Sequence, residues 1–232
     1  AIYCEGDLTI TGGSVTDNDY TGKSDYGTIH VNNKESVVSI TGGTFANNRA
    51  YSGGVLYTAP AKEVRIENVT FENNRASYNG GAVAIYALNC PTTVTLKNVT
   101  FRGNQAGNNG GGLCTYDGYT NDLLLEGCSF AGNTATTGGG ASLGSRTKVT
   151  ISGGSFTKNQ ATGSGGGLSS VGYSSYNAQL TVGNVTFTDN HAGGDGGGIW
   201  ARKLSLTACT FTGNTSVGSG GAVRHAADWN RP

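Results

Sequence analysis

The chain has 232 residues, 40 of them glycine, and its 15 Lys+Arg balance 15 Asp+Glu. Zero formal net charge and a charged share of 13%, about half the usual one, leave no basic footprint for nucleic acid or an anionic membrane surface. Three prolines and glycines without a three-residue period exclude collagen, and regularly recurring apolar residues argue against disorder.

Short alternating runs appear first at Leu8/Ile10, then at Val38/Ile40, Val64/Ile66, Val94/Leu96, Leu123/Leu125, Val149/Ile151, Leu180/Val182 and Leu204/Leu206. Period-two alternation predicts a strand with one apolar face at each. A phenylalanine follows each run from the second onward: Phe45, Phe71, Phe101, Phe130, Phe156, Phe187 and Phe211, spaced by 26, 30, 29, 26, 31 and 24 residues. Ser or Thr precedes every one, and three positions later stands Asn48, Asn74, Asn104, Asn133, Asn159, Asn190 or Asn214. An Ala or Ser comes two residues further on, and a glycine pair begins eight or nine after the Phe. Beyond the pair a second short strand is predicted, centred near Ile29, Leu56, Val83, Leu113, Ala141, Leu168, Ile199 and Val223. The first copy is degenerate: it keeps Asn18 but has Val15 in place of Phe and a longer path to Gly27.

One such unit cannot bury its apolar face, whereas stacked units can. The repeat therefore predicts an all-β fold: a right-handed parallel β-helix of about eight coils, with three short strands per coil and one domain over residues 1–232. Equivalent phenylalanines are expected to pile into an aromatic column and the asparagines into an amide ladder. No apolar run is long enough for a transmembrane helix. With no methionine and no signal peptide, the chain is expected to be a processed product or a segment of a longer rod, and Ala1-Ile2 matches the residues that follow a glycine pair elsewhere.

The pairs Phe71-Glu-Asn-Asn74 with Gly80-Gly-Ala-Val83, and Phe211-Thr-Gly-Asn214 with Gly220-Gly-Ala-Val223, resemble the FxxN and GGA[ILV] signatures of the polymorphic outer-membrane protein repeats of chlamydiae. Gly112, Gly140, Gly167 and Gly198 depart from that pattern, standing where the family has Ala. The resemblance implies an autotransporter passenger on the bacterial surface that acts in adhesion. Its expected partners are a host-cell protein or glycan, or further copies of itself stacked end to end as a structural rod.

The distance from each glycine pair to the next Phe varies from 15 to 22 residues, so length variation concentrates on one flank, in Thr58–Lys62, Tyr86–Thr92, Thr115–Asp122 and Val171–Ala178. Tyr86, Tyr116, Tyr119, Tyr173 and Tyr176 lie in these inserts. Tyrosine among Gly, Ser and Asn is the composition of an adaptable binding surface, and these five are the candidate binding residues. A tyrosine that merely covers the apolar rim is the structural alternative.

No catalytic residues are assigned, although pectin-degrading enzymes also use right-handed β-helices. Glu72/Arg102 and Lys158/Asp189 are expected to be exposed cross-coil pairs, Arg49 and Arg75 stacked like charges, and Asp117 with Asp122 a carboxylate pair lacking a basic partner. No metal site or cofactor is assigned either. Asp17-Asn18-Asp19 lacks the glycine and distal Glu of an EF-hand, and His30, His191 and His225 occupy different repeat positions. A flat Thr array for ice is interrupted by charges such as Arg65 and Glu67. Of the five cysteines, Cys4, Cys128 and Cys209 are expected to face inward, Cys114 outward and Cys90 to lie in a loop, all as reduced structural residues.

Overall fold

The computed structural model describes residues 2–20, 26–87, 90–116, 120–144, 148–170 and 179–226, with only the backbone of Thr120 and Asn121. Alternation makes strands here because alternate side chains have an apolar interior to enter. In Glu63–Glu67, Val64 and Ile66 are fully buried while Arg65 is exposed. Every strand pairs in parallel with its counterpart one repeat away, as Phe71 does with both Phe45 and Phe101. The chain winds as a right-handed parallel β-helix, and among the described residues there is no helix.

Four sheets run along the rod. The post-glycine sheet has nine strands, from Ile2–Cys4 to Val223–His225, and the other three have eight each. The long-strand sheet starts at Leu8–Thr11, the phenylalanine sheet at Ser14–Thr16 and the alanine sheet at Asp19–Tyr20. Each coil thus has four strands where three were expected. The extra one spans only two residues, Arg75–Ala76 in the third coil, too short for any alternation to show.

The corners explain the residues between strands. Asn68, Asn73 and Gly80 have φ of 56°, 54° and 62°, the left-handed region that Asn and Gly tolerate best. They separate Glu63–Glu67, Thr70–Glu72, Arg75–Ala76 and Val83–Ile85. The second glycine of the pair serves a different need. A Cβ on Gly81 would collide with the carbonyl oxygen of Gly111, one coil away.

Inside, the phenyl rings form a continuous column with centroids 4.6–5.3 Å apart. Their tilt varies with the residue after each glycine pair. The rings meet at 30° across Val55 and at 16° across Ala82. Across Gly112, Gly140, Gly167 and Gly198 they lie within 5–7° of parallel. A Cβ on Gly140 would meet the Gly167 carbonyl oxygen at 2.6 Å and Phe156 Cδ1 at 3.0 Å, so the glycines that depart from the Ala pattern leave room for the next coil's backbone as well as for the parallel rings.

Beside the rings runs the amide ladder. Asn104 Nδ2 donates to the Phe71 carbonyl and to Asn133 Oδ1, both at 3.0 Å. Its Oδ1 accepts the Asn74 backbone N–H at 2.9 Å and Asn74 Nδ2 at 3.0 Å. The same pattern continues through Asn48, Asn74, Asn133, Asn159 and Asn190 to Asn214. Asn18 heads it, donating from backbone N–H and Nδ2 to Asn48 Oδ1. On the outside, Arg102 reaches Glu72 at 2.8 Å, an exposed pair that contributes little. Lys158 and Asp189 make no ion pair among the described residues.

Replacing Asn104 with Ala strands buried donors on Asn74 and the Phe71 carbonyl, and should lower stability by about 3–5 kcal/mol. Lys62→Ala, on an exposed side chain, should change it by less than about 0.5 kcal/mol. Urea midpoints of the two variants against the parent check this.

Candidate functional site

Each post-glycine strand has three residues, the outer two facing the core and the middle one facing out. The outward column runs Tyr3, His30, Tyr57, Ala84, Cys114, Ser142, Ser169, Trp200 and Arg224 in unbroken register. Its first members are aromatic and its centre is small, so its outer surface dips at Ala84 and Cys114. These two are nonetheless 0% and 2% exposed, and Cys114 shares a cleft with Tyr116.

The aromatic groups touch one another. Tyr26 stacks on Tyr57 at 4.3 Å and 20°, and His30 sets its ring against Tyr3, Tyr26 and Tyr57 at 5.2–5.9 Å. Tyr51 and Tyr78 stack at 5.6 Å just past the alanine sheet. Tyr86 meets Tyr116 edge to face at 4.6 Å. Two clefts open between these rings. One, of about 340 Å³, is lined by Tyr26, His30, Asn32, Tyr57, Ala59, Pro60 and Tyr86. The other, of about 260 Å³, has Tyr78, Asn108, Cys114, Tyr116 and Ser142 among its lining residues.

Of the five tyrosines expected to bind, Tyr86 and Tyr116 are thus brought together. Tyr119, Tyr173 and Tyr176 lie outside the described residues, as does Asp117. The two described tyrosines fold back over the sheet face, and the Tyr116 hydroxyl bonds the buried Asn79 amide. Tyr26, His30, Tyr51, Tyr57 and Tyr78 were missed, since they stand outside the inserts. A signal existed: Tyr3, His30 and Tyr57 each follow the first apolar residue of a post-glycine strand.

Burial, then the neighbouring Tyr26 and Tyr86, pushes the Tyr57 phenol well above its ordinary value. Burial does the same to Tyr116, with Cys114 next in weight. Among the described residues that line the two clefts none is Asp, Glu, Lys or Arg, and the first cleft includes the imidazole of His30. Asp122 is exposed and pairs in register with Lys148 across the long-strand sheet. Arg49 and Arg75 stack in register. Asp17 accepts from Asn47 at 3.0 Å, so the Asp17-Asn18-Asp19 segment is engaged in turn bonding and in the ladder. Among the described residues no group of three His, Cys, Asp or Glu is arranged to hold a metal.

All five cysteines are free thiols. Burial raises the Cys128 thiol to about 11 and Cys90 upward as well, so both stay protonated and unreactive near neutrality. Cys114 faces outward as expected, yet is buried in the second cleft.

A family profile described as a right handed beta helix region matches residues 1–156 and, in an overlapping second match, 53–231. The chain belongs to this family. No curated protein and no solved structure matches it. Within the right-handed β-helix family the fold is common ground, so the particular chemistry of this chain has to be argued from its outer face.

The tyrosine shifts have a measurable consequence. A phenol with a raised folded-state pKa contributes stability that is fully present below its ordinary value of 10.0. That stability falls as pH rises through this value, because the unfolded chain releases its proton first. The urea midpoint should therefore drop between about pH 9 and pH 11, and Tyr57→Phe should make the drop shallower.

Proposed function

We propose that this chain is a rigid segment of an extracellular bacterial surface protein that adheres to host-cell protein or glycan through the aromatic outer face. The observation that carries the reading is the contiguity of Tyr26, His30, Tyr57, Tyr86 and Tyr116 around two open clefts. Aromatic side chains with few rotatable bonds, held on a stiff scaffold, suit binding at low entropic cost. The scaffold is stiff because the ladder runs from Asn18 to Asn214 and the ring column from Phe45 to Phe211. The FxxN and GGA[ILV] motifs, similar to those of polymorphic outer-membrane repeats, favour the same surface role.

Binding is favoured over catalysis by the chemistry of the clefts. Hydrolysis or elimination on a polysaccharide calls for carboxylates, or a carboxylate with a basic partner, close to the substrate. The described lining offers tyrosines, amides and hydroxyls instead.

The test is flow cytometry of labelled chain on cultured epithelial cells. The double variant Tyr26→Ser/Tyr86→Ser should lose about tenfold or more of its binding, as for hot-spot aromatics, with unchanged circular dichroism. Undiminished binding by a folded double variant would refute the assignment of this face.

A further inference from the structure

We propose that Asn68, Asn98 and Asn184 are acceptors for covalent N-linked sugar, displayed along one corner of the rod. These residues stand where the long-strand sheet turns into the phenylalanine sheet, whereas the clefts open on the post-glycine sheet. The proposal is therefore independent of the adhesion reading.

The chain holds four Asn-x-Ser/Thr triplets, the acceptor motif for N-glycosylation. Three are the same tripeptide at the same place in the repeat: Asn68-Val69-Thr70, Asn98-Val99-Thr100 and Asn184-Val185-Thr186. The fold sorts each triplet into a buried middle and two outward ends. Val69, Val99 and Val185 are at most 1% exposed, so the flanking Asn and Thr point away from the core. All three asparagines are exposed. Among the described residues, the Nδ2 groups of Asn68 and Asn184 have no hydrogen-bond partner. That of Asn98 has only a 3.3 Å bond to Asn68 Oδ1. The hydroxyls of Thr70, Thr100 and Thr186 are likewise unbonded among the described residues.

The corner also has room. Its other members, Gly12, Gly42, Gly127, Gly153 and Ala208, carry at most a methyl group, so no longer side chain of this column stands beside an acceptor. All eight positions have positive φ, which by itself does not require this composition. The next corner is under the same left-handed constraint and takes Asp17, Lys158 and Asp189. The fourth triplet, Asn214-Thr215-Ser216, is differently placed. Asn214 is half-buried, its Nδ2 donating to the Phe187 carbonyl at 2.8 Å and its Oδ1 accepting from Asn190. It should be the poorest acceptor of the four.

The reaction needs an activated glycosyl donor, a sugar carried on a diphosphate. Asn Nδ2 bonds to the anomeric carbon, and the bond from that carbon to the diphosphate oxygen breaks. The diphosphate leaves with the electron pair, and one amide proton passes to solvent. A nucleoside-diphosphate hexose and a polyprenyl-diphosphate oligosaccharide both satisfy this balance. They differ in what they leave behind, one hexose against a longer glycan. Asn68 and Asn98 are on adjacent coils, roughly 4.8 Å apart along the axis, so a sugar on one should hinder the other.

The test is glycopeptide mass mapping of the full chain isolated from the cells that produce it. Sugar is expected on the peptides carrying Asn68, Asn98 and Asn184. A single-hexose increment identifies the nucleotide donor and a longer one the lipid carrier. Asn184 should be the most fully occupied, with Asn68 and Asn98 rarely modified on the same molecule. Thr186→Val should remove the increment from Asn184 alone, and Thr186→Ser should retain it. Asn184→Gly, the residue found at Gly153 in the preceding coil, should lose one increment with an unchanged urea midpoint. Bare amides at all three positions, sugar confined to Asn214, or an Asn184 increment that persists in Thr186→Val would overturn the proposal.

Discussion

The fold depends on a buried amide with nowhere to go except another amide. Each ladder asparagine from Asn48 to Asn190 is essentially shielded from water, and desolvating a primary amide without partners is costly. The β-helix settles the account by giving every interior ladder member four bonds. Two are donated, to a carbonyl and to the next asparagine; two are accepted, from the backbone and the amide of the neighbour. Such a pattern closes only when the next repeat arrives at the right height and register. The ladder thus specifies parallel stacking more narrowly than hydrophobic burial alone, which excludes a one-residue slip but tolerates a slip of two.

The phenyl column then supplies the bulk of burial on the same side. Each ring contributes roughly 1.5–3 kcal/mol by burial, plus the offset contact with its neighbours. Those contacts are flatter where a glycine follows the pair, 5° across Gly140 against 30° across Val55. With inward positions committed to coil-to-coil contacts, sequence freedom moves to the outward column and the inserts. There the first coils carry aromatics and the middle coils carry small residues under folded-back tyrosines. Core and binding face are therefore two columns of the same repeat, one under a stacking constraint and one free of it.

Much of this was legible before any coordinates. The seven FxxN copies keep their register so well that ring column, amide ladder and parallel solenoid followed from spacing. The fourth strand did not, since two residues such as Arg75–Ala76 carry no period. Tyr86 and Tyr116 were found as tyrosines in length-variable inserts. Their contact with each other and the bond of Tyr116 to Asn79 were not, because the direction in which an insert folds is a tertiary matter that composition does not record. His30 and Tyr57 escaped notice for the opposite reason: they stand outside the inserts, at a strand position whose outward side chains are aromatic three times running.

The central claim, that the asparagine amides are locked in a continuous chain of hydrogen bonds, is tested most directly by NMR hydrogen exchange of the side-chain amide protons. The account requires the Nδ2 protons of Asn74, Asn104, Asn133 and Asn159 to exchange as slowly as core-strand backbone amides, while those of the exposed Asn98 exchange rapidly. Fast exchange at the four buried asparagines, indistinguishable from Asn98, would contradict it.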